Sequence, residues 1–117
     1  MVLLFAWWLA LAAAQAPNPY CRGCTEPQVQ QRVLARPGWV RLDRYALPAG
    51  GIEVCYAPAD TAYVVRYLLR ENAVREVSYV LAVDDPAGAR LLAQPVPAAR
   101  WSRAVAGALA VYTLRFD

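Results

Sequence analysis

The apolar residues of this 117-residue chain recur with two different spacings, and each spacing predicts a different element. After Thr25, the residues Val29 and Val33 stand four positions apart, as on one side of a helix. Thr25 and Gln28 occupy the two positions of a capping box, in which each side chain bonds to the backbone of the other residue. The pattern therefore predicts a short N-terminal helix that ends at the following Pro-Gly pair.

Beyond that pair the apolar and polar residues alternate, and this period of two is typical of β-strands. We expect strands over 39–47, 52–56, 74–83 and 108–116. A hairpin-type turn over 84–88 is expected to lead into a further short strand over 89–94. Residues 98–105 follow two prolines and are expected to be irregular or to form a short helical turn.

The apolar pattern of the segment 63–70 fits both a helix and a strand. As a strand it would have four residues on its inward side, namely Tyr63, Val65, Tyr67 and Leu69. As a helix capped by Asp60 it would present one stripe made of Val64, Val65, Leu68 and Leu69. Its content of tyrosine and valine favours the strand.

Short strands separated by proline and glycine turns indicate a mainly β fold. The predicted architecture is a small antiparallel β-sandwich or barrel with one short N-terminal helix. The alternative is an α+β open sheet, which would carry a second helix over 60–70.

The first fourteen residues form an uninterrupted apolar run. As a helix this run would measure about 21 Å, which is shorter than the hydrocarbon core of a bilayer. Ala14-Gln15-Ala16 resembles a signal-peptidase site, so residues 1–16 are predicted to be a secretory signal peptide. Cleavage at Ala14, or an uncleaved anchor or core helix, is the alternative. Residues 17–117 would then form a single exported β-rich domain, periplasmic or extracellular, with no membrane span.

The composition excludes several kinds of chemistry. The chain has no histidine, and all twelve of its basic residues are arginine. Catalytic triads that need an imidazole or a lysine amine as proton carrier are therefore excluded. Metal sites that use histidine are excluded for the same reason, and no cofactor is predicted.

The three cysteines carry the clearest motif. Cys21 and Cys24 form a C-x-x-C pair just before the predicted helix, whose N-terminus would stabilise a thiolate. A c-type haem site is excluded because Thr25 stands where histidine is required. Three thiolates in an oxidising compartment do not favour a metal site. We expect a structural disulfide from Cys55 to Cys24, or to Cys21, because a bond between Cys21 and Cys24 would close too small a ring.

Arginine and aromatic residues are interleaved at several places in the chain. A candidate interaction surface consists of Arg66, Tyr67, Arg70, Arg100, Trp101 and Arg103. A net charge of only +3, with nine acidic residues among the arginines, does not favour nucleic-acid binding.

These features predict a small exported, non-catalytic domain that acts through contacts with another envelope or secreted protein or a surface polymer. A protein of the cell envelope is the expected partner, because tyrosine and tryptophan are enriched at protein interfaces. The alternative function is a thiol–disulfide redox protein that uses Cys21 and Cys24.

Overall fold

The computed structural model describes residues 18–60, 62–96 and 99–116, and the predicted signal peptide lies outside them. Two helices are described: α1, Glu26–Leu34, and α2, Ala87–Ala93. The strands are β1 Val40–Ala46, β2 Ile52–Ala57, β3 Val64–Arg70, β4 Ala73–Ala82, β5 Ala99–Ala106 and β6 Leu109–Phe116.

The six strands form one antiparallel sheet in the order β1-β2-β3-β4-β6-β5. The predicted mainly β class is confirmed. The predicted sandwich or barrel is wrong, because β1 and β5 remain at opposite edges of a single open sheet. The alternative anticipated an open sheet, but its helix over 60–70 is wrong because β3 is a strand.

One face of the sheet carries the core, and we call it the covered face. Its residues pair across neighbouring strands, as in the row Val54, Tyr67, Val77 and Leu114. Helix α1 packs on this face through its buried valines, and α2 packs farther along it, near Tyr112. Both helices therefore lie on the same side of the sheet.

Helix α1 begins as its sequence predicts. The backbone N–H of Thr25 donates to the Gln28 side chain at 2.8 Å, and the N–H of Gln28 donates to the Thr25 hydroxyl at 3.4 Å. Val29 is fully buried and Val33 nearly so. The Arg44 guanidinium on β1 also donates two hydrogen bonds to the Glu26 carboxylate, at 2.6 and 3.0 Å. These contacts hold the first turn of α1 against the sheet.

The other side of the sheet, which we call the open face, carries the alternate residues of each strand. Its central row consists of Cys55, Arg66, Ser78, Thr113 and Ser102. Glu76 and Arg115 form an ion pair at 3.0 Å in the neighbouring row. Neither helix packs on this face, so it combines polar and apolar residues as a solvated sheet face does.

Two sequence predictions near the C-terminus are wrong. Residues 87–93 form α2 rather than the end of the turn over 84–88 and the strand over 89–94, because the segment AGARLLA consists mainly of good helix formers and has no β-branched residue. Residues 99–106 form β5 rather than an irregular segment. The alternation of β5 is difficult to recognise because alanine occupies positions on both of its faces.

Candidate functional site

The six residues of the predicted interaction surface do not come together. Arg66 lies on the open face, where its pairing partner is Ser78, whereas the adjacent Tyr67 is buried on the covered face. Arg70 is exposed at the end of β3. Strand alternation thus separates neighbours that the sequence places side by side.

The same alternation divides the part of that surface on β5. Arg100 lies on the open face beside Arg115, and Trp101 lies on the covered face beside Leu114. Arg103 also belongs to the covered face, where its Nε donates to the Tyr112 hydroxyl at 3.0 Å. No single patch therefore contains all of these residues.

The cysteines also pair differently from the prediction. The structure joins Cys21 to Cys24 and leaves Cys55 as a free, buried thiol, so the expected bond from Cys55 to Cys24 or Cys21 is not formed. Cys55 lies on the open face, whereas Cys21 packs in the core of the covered face. The sheet itself separates the two residues. Burial raises the pKa of the Cys55 thiol, which keeps it protonated and unreactive.

The Cys21–Cys24 disulfide closes a turn immediately before α1. The N–H of Cys24 donates to the carbonyl of Cys21 at 3.0 Å, which closes this turn. Two further hydrogen bonds, Gly23 N–H to the Val74 carbonyl and Val74 N–H to the Cys24 carbonyl, fasten the turn to β4 at 3.1 and 2.9 Å. Cys21 is buried and Cys24 is half-buried. Cys24 is therefore the more accessible residue of the pair and the one nearer the helix N-terminus.

A row of aromatic rings crosses the covered face between the two helices. Tyr63 stacks on Tyr79 with the ring centroids 6.4 Å apart and the planes 29° from parallel. Trp39 contacts the outer side of Tyr63 at 5.7 Å, and Trp101 contacts Tyr79 at 6.0 Å. Tyr20 packs edge-on against both Tyr79 and Trp101. We call these five residues the aromatic row.

A groove of about 370 Å³ lies between α2 and the aromatic row. Tyr63 and Tyr79 form one wall, and Leu91 contributes an apolar part of the other. The side chains that add polar groups to the lining are Asp85, Arg90 and Gln94. A larger depression of about 470 Å³ along α1 has no aromatic residue in its lining. The groove therefore combines apolar surface with a few polar groups, which is the usual composition of a ligand site.

The polar groups of the groove have defined partners. The Oδ1 atom of Asp85 accepts a hydrogen bond from the N–H of Ala87 at 2.9 Å. The Tyr20 hydroxyl donates to the Oε1 atom of Gln94, which leaves the amide protons of Gln94 as donors. Arg90 makes no ion pair within the part of the chain that the structure describes. Burial raises the pKa of Tyr79, so its phenol stays neutral.

Sequence reasoning did not identify the groove, although it placed Tyr63 on the inward side of its strand. The missing information was α2, which supplies Asp85, Arg90 and Gln94 directly or through its flanking residues. The sequence pattern of 87–94 predicted a turn and a strand. That prediction did not place Asp85, Arg90 and Gln94 opposite the tyrosines.

Among residues 18–60, 62–96 and 99–116, no three histidine, cysteine or acidic side chains are grouped as metal ligands. Neither helix in these ranges has the length and apolar character needed to cross a membrane. No protein-family model, curated protein or solved structure significantly matches the chain.

Proposed function

We propose that this chain is a small exported, non-catalytic domain that acts by contact with another envelope or secreted protein or a surface polymer. We further propose that the groove beside the aromatic row is the contact site. The export rests on the apolar N-terminal run and the Ala-Gln-Ala sequence that follows it.

The observation that carries the proposal is the half-exposed pair of tyrosines in the groove. Aromatic side chains without such a role can be packed fully beneath a helix, as Tyr56 is. Tyr63 and Tyr79 instead line a cavity, together with an acid, an arginine and an amide. Apolar surface with a few polar groups is the usual composition of a binding site.

Site-specific crosslinking in the exporting cell tests this proposal. A photoreactive phenylalanine analogue at position 63 keeps an aromatic ring in the groove, and the same analogue at Tyr45 serves as the control. Tyr45 is also an exposed tyrosine, but it lies on the open face beside Glu53. We expect a crosslinked product from position 63 and none from position 45. Equal products from both positions, or none from position 63, would contradict the proposal.

A second candidate function, thiol–disulfide exchange, is favoured by the Cys21–Cys24 bond at the start of α1. In the reduced protein the helix N-terminus would stabilise a thiolate at Cys24. That thiolate would attack a disulfide of a partner protein, forming a mixed disulfide and releasing one partner thiolate. The Cys21 thiolate would then attack Cys24, restoring the internal disulfide and releasing the second partner thiolate. Two electrons would thus pass to the partner.

Trapping experiments distinguish this candidate from the first. A Cys21→Ser variant keeps the attacking Cys24 but removes the thiol that resolves the mixed disulfide, so an exchange protein would accumulate covalent adducts. Cys55→Ser is the matched control, because Cys55 is buried on the other face. Adducts with Cys21→Ser alone support exchange. Their absence, combined with unchanged crosslinking at position 63, supports the contact function.

A further inference from the structure

We propose that the groove binds a neutral carbohydrate, one or two sugar rings of a surface polysaccharide. This inference rests on the contact function proposed above and specifies its ligand. It is carried by the chemistry of the two facing walls of the groove.

The aromatic wall suits the apolar face of a sugar ring. The C–H groups on one side of a pyranose form a flat apolar surface, and an aromatic ring covers such a surface without requiring a charge. Tyr63 and Tyr79 stack with their planes 29° from parallel, and both line the groove; we call this stacked pair the platform. Contacts with Trp39 and Trp101 on either side hold the two tyrosines in place. The platform is thus largely preorganised, which lowers the entropy lost on binding.

The polar wall suits hydroxyl groups. The free Oδ2 atom of Asp85 can only accept a hydrogen bond when ionised, whereas Arg90 can only donate. Gln94 adds amide donors, because its oxygen is already bonded to Tyr20. A ligand that bonds to both Asp85 and Arg90 must donate as well as accept, as hydroxyl groups do. A polyproline peptide also prefers aromatic grooves, but its backbone offers acceptors only, so it would donate no hydrogen bond to the Oδ2 atom of Asp85.

The charge and size of the groove agree with this ligand. Asp85 and Arg90 are the charged residues among its lining, and their charges balance, so the groove does not select an anionic polymer. Its volume of about 370 Å³ lies at the lower end of the range for small-molecule sites. A short segment of a neutral glycan fits such a volume better than a folded protein surface does.

Calorimetric titration of the full chain with two neutral tetrasaccharides, one of glucose and one of N-acetylglucosamine, tests the proposal. We expect at least one to bind and to change the fluorescence of the tryptophans that contact the tyrosine pair. Tyr63→Ala and Arg90→Ala should each weaken binding about tenfold or more, since they remove a platform ring and a donor. Tyr63→Phe keeps the ring and should stay within about threefold of the parent chain.

Tyr45→Ala is the control, because it removes an exposed tyrosine far from the groove lining and should leave the affinity unchanged. Thermal unfolding of each variant confirms that it is folded. The carbohydrate proposal is overturned if neither sugar binds at millimolar concentration, or if Tyr63→Ala and Arg90→Ala bind as the parent does. A proline-rich peptide that binds in place of the sugars, with the same sensitivity to Tyr63→Ala, overturns it as well. In either case a position-63 crosslink leaves the contact function standing, and the loss of that crosslink removes both proposals.

Discussion

The two helices lie on the same face of one sheet but are attached to it very differently. Helix α1 has a complete capping box, two buried valines and an ion pair to β1. Helix α2 receives no side-chain cap from its N-cap residue Pro86, although its first N–H donates to the Asp85 carboxylate, and only Gly88 of its seven residues is buried. Gly88 lies against the ring of Tyr112, and the partly buried Ala87 and Leu91 pack on the same part of the sheet.

This difference assigns separate roles to the two halves of the covered face. The half under α1 carries the larger buried cluster, whereas the half beside α2 carries a smaller one, Leu81, Ala110 and Tyr112, next to the groove with its half-exposed tyrosines. Elements with few buried contacts open locally at low free energy. We therefore expect α1 to belong to the stable scaffold and α2, a wall of the proposed binding site, to open at lower free energy.

The largest loss of stability is expected from the substitution Val29→Ala in α1. Val29 is fully buried, so the substitution removes two methyl groups and leaves a cavity. The free energy of unfolding should fall by about 2–3 kcal/mol. Leu91→Ala in α2 removes more atoms from a half-buried position and should cost about 1 kcal/mol. Urea unfolding of both variants measures these losses of unfolding free energy. An equal or larger loss for Leu91→Ala would contradict the contrast between the helices.

Reduction of the Cys21–Cys24 disulfide should have the next largest effect. A ring of four residues restricts the unfolded chain modestly, so reduction should lower the free energy of unfolding by about 2 kcal/mol. Urea unfolding with and without reductant measures this loss. The Cys55→Ala chain should show the same sensitivity to reductant, because Cys55 is a free thiol in the structure. A Cys55→Ala chain that no longer responds to reductant would place Cys55 in the disulfide instead.

Gly88→Val should detach α2 from the sheet. A β-carbon at this position would overlap the phenol ring of Tyr112, which is itself buried. The clash should cost about 1–2 kcal/mol of unfolding free energy and should also abolish ligand binding in the groove. Ala89→Val places the same side chain on an exposed position of α2, and its effect should stay within about 0.5 kcal/mol. Equal losses for the two variants would indicate that α2 does not dock through Gly88.

The smallest effect is expected from the Glu26–Arg44 pair, and it depends on pH. Hydrogen bonds from Arg44 lower the pKa of the Glu26 carboxyl in the folded chain. The resulting stabilisation is present above the pKa of an unfolded glutamate, about 4.3, and is lost as pH falls through the lowered pKa. Glu26→Gln should therefore lower Tm at pH 7 by no more than about 4 °C and have no effect near pH 2. Glu71→Gln, at a side chain that is 89% exposed, should leave Tm unchanged at both values.

Local signals in the sequence were sufficient for several elements. The capping box predicted α1, because its hydrogen bonds form between residues three positions apart. Clean alternation predicted β6, whose residues Ala110, Tyr112, Leu114 and Phe116 are all buried on one face. Alternation also predicted the inward side of β3. The signal was weaker for α2, whose N-cap residue Pro86 provides no side-chain cap, and for β5, in which alanine on both faces obscures the alternation.

Long-range arrangement was not accessible to the same reasoning. The sequence placed Cys55 correctly on the side opposite Val54 and Tyr56, but it did not show on which face α1 would pack. The disulfide prediction therefore assumed a contact across the sheet. The groove depended in the same way on where α2 lies. Both features are set by which elements meet in three dimensions rather than by the spacing of residues along the chain.

Amide hydrogen exchange of the full chain, measured with and without the bound tetrasaccharide, tests the contrast between scaffold and binding wall most directly. Without sugar, the amides of α1 should exchange slowly, near the rate set by global unfolding, and those of α2 should exchange much faster through local opening. Bound sugar should slow exchange in α2 and at the start of β3 while leaving the β1 edge unchanged. Equal protection of the two helices, or slowing confined to residues outside the groove, would contradict the account.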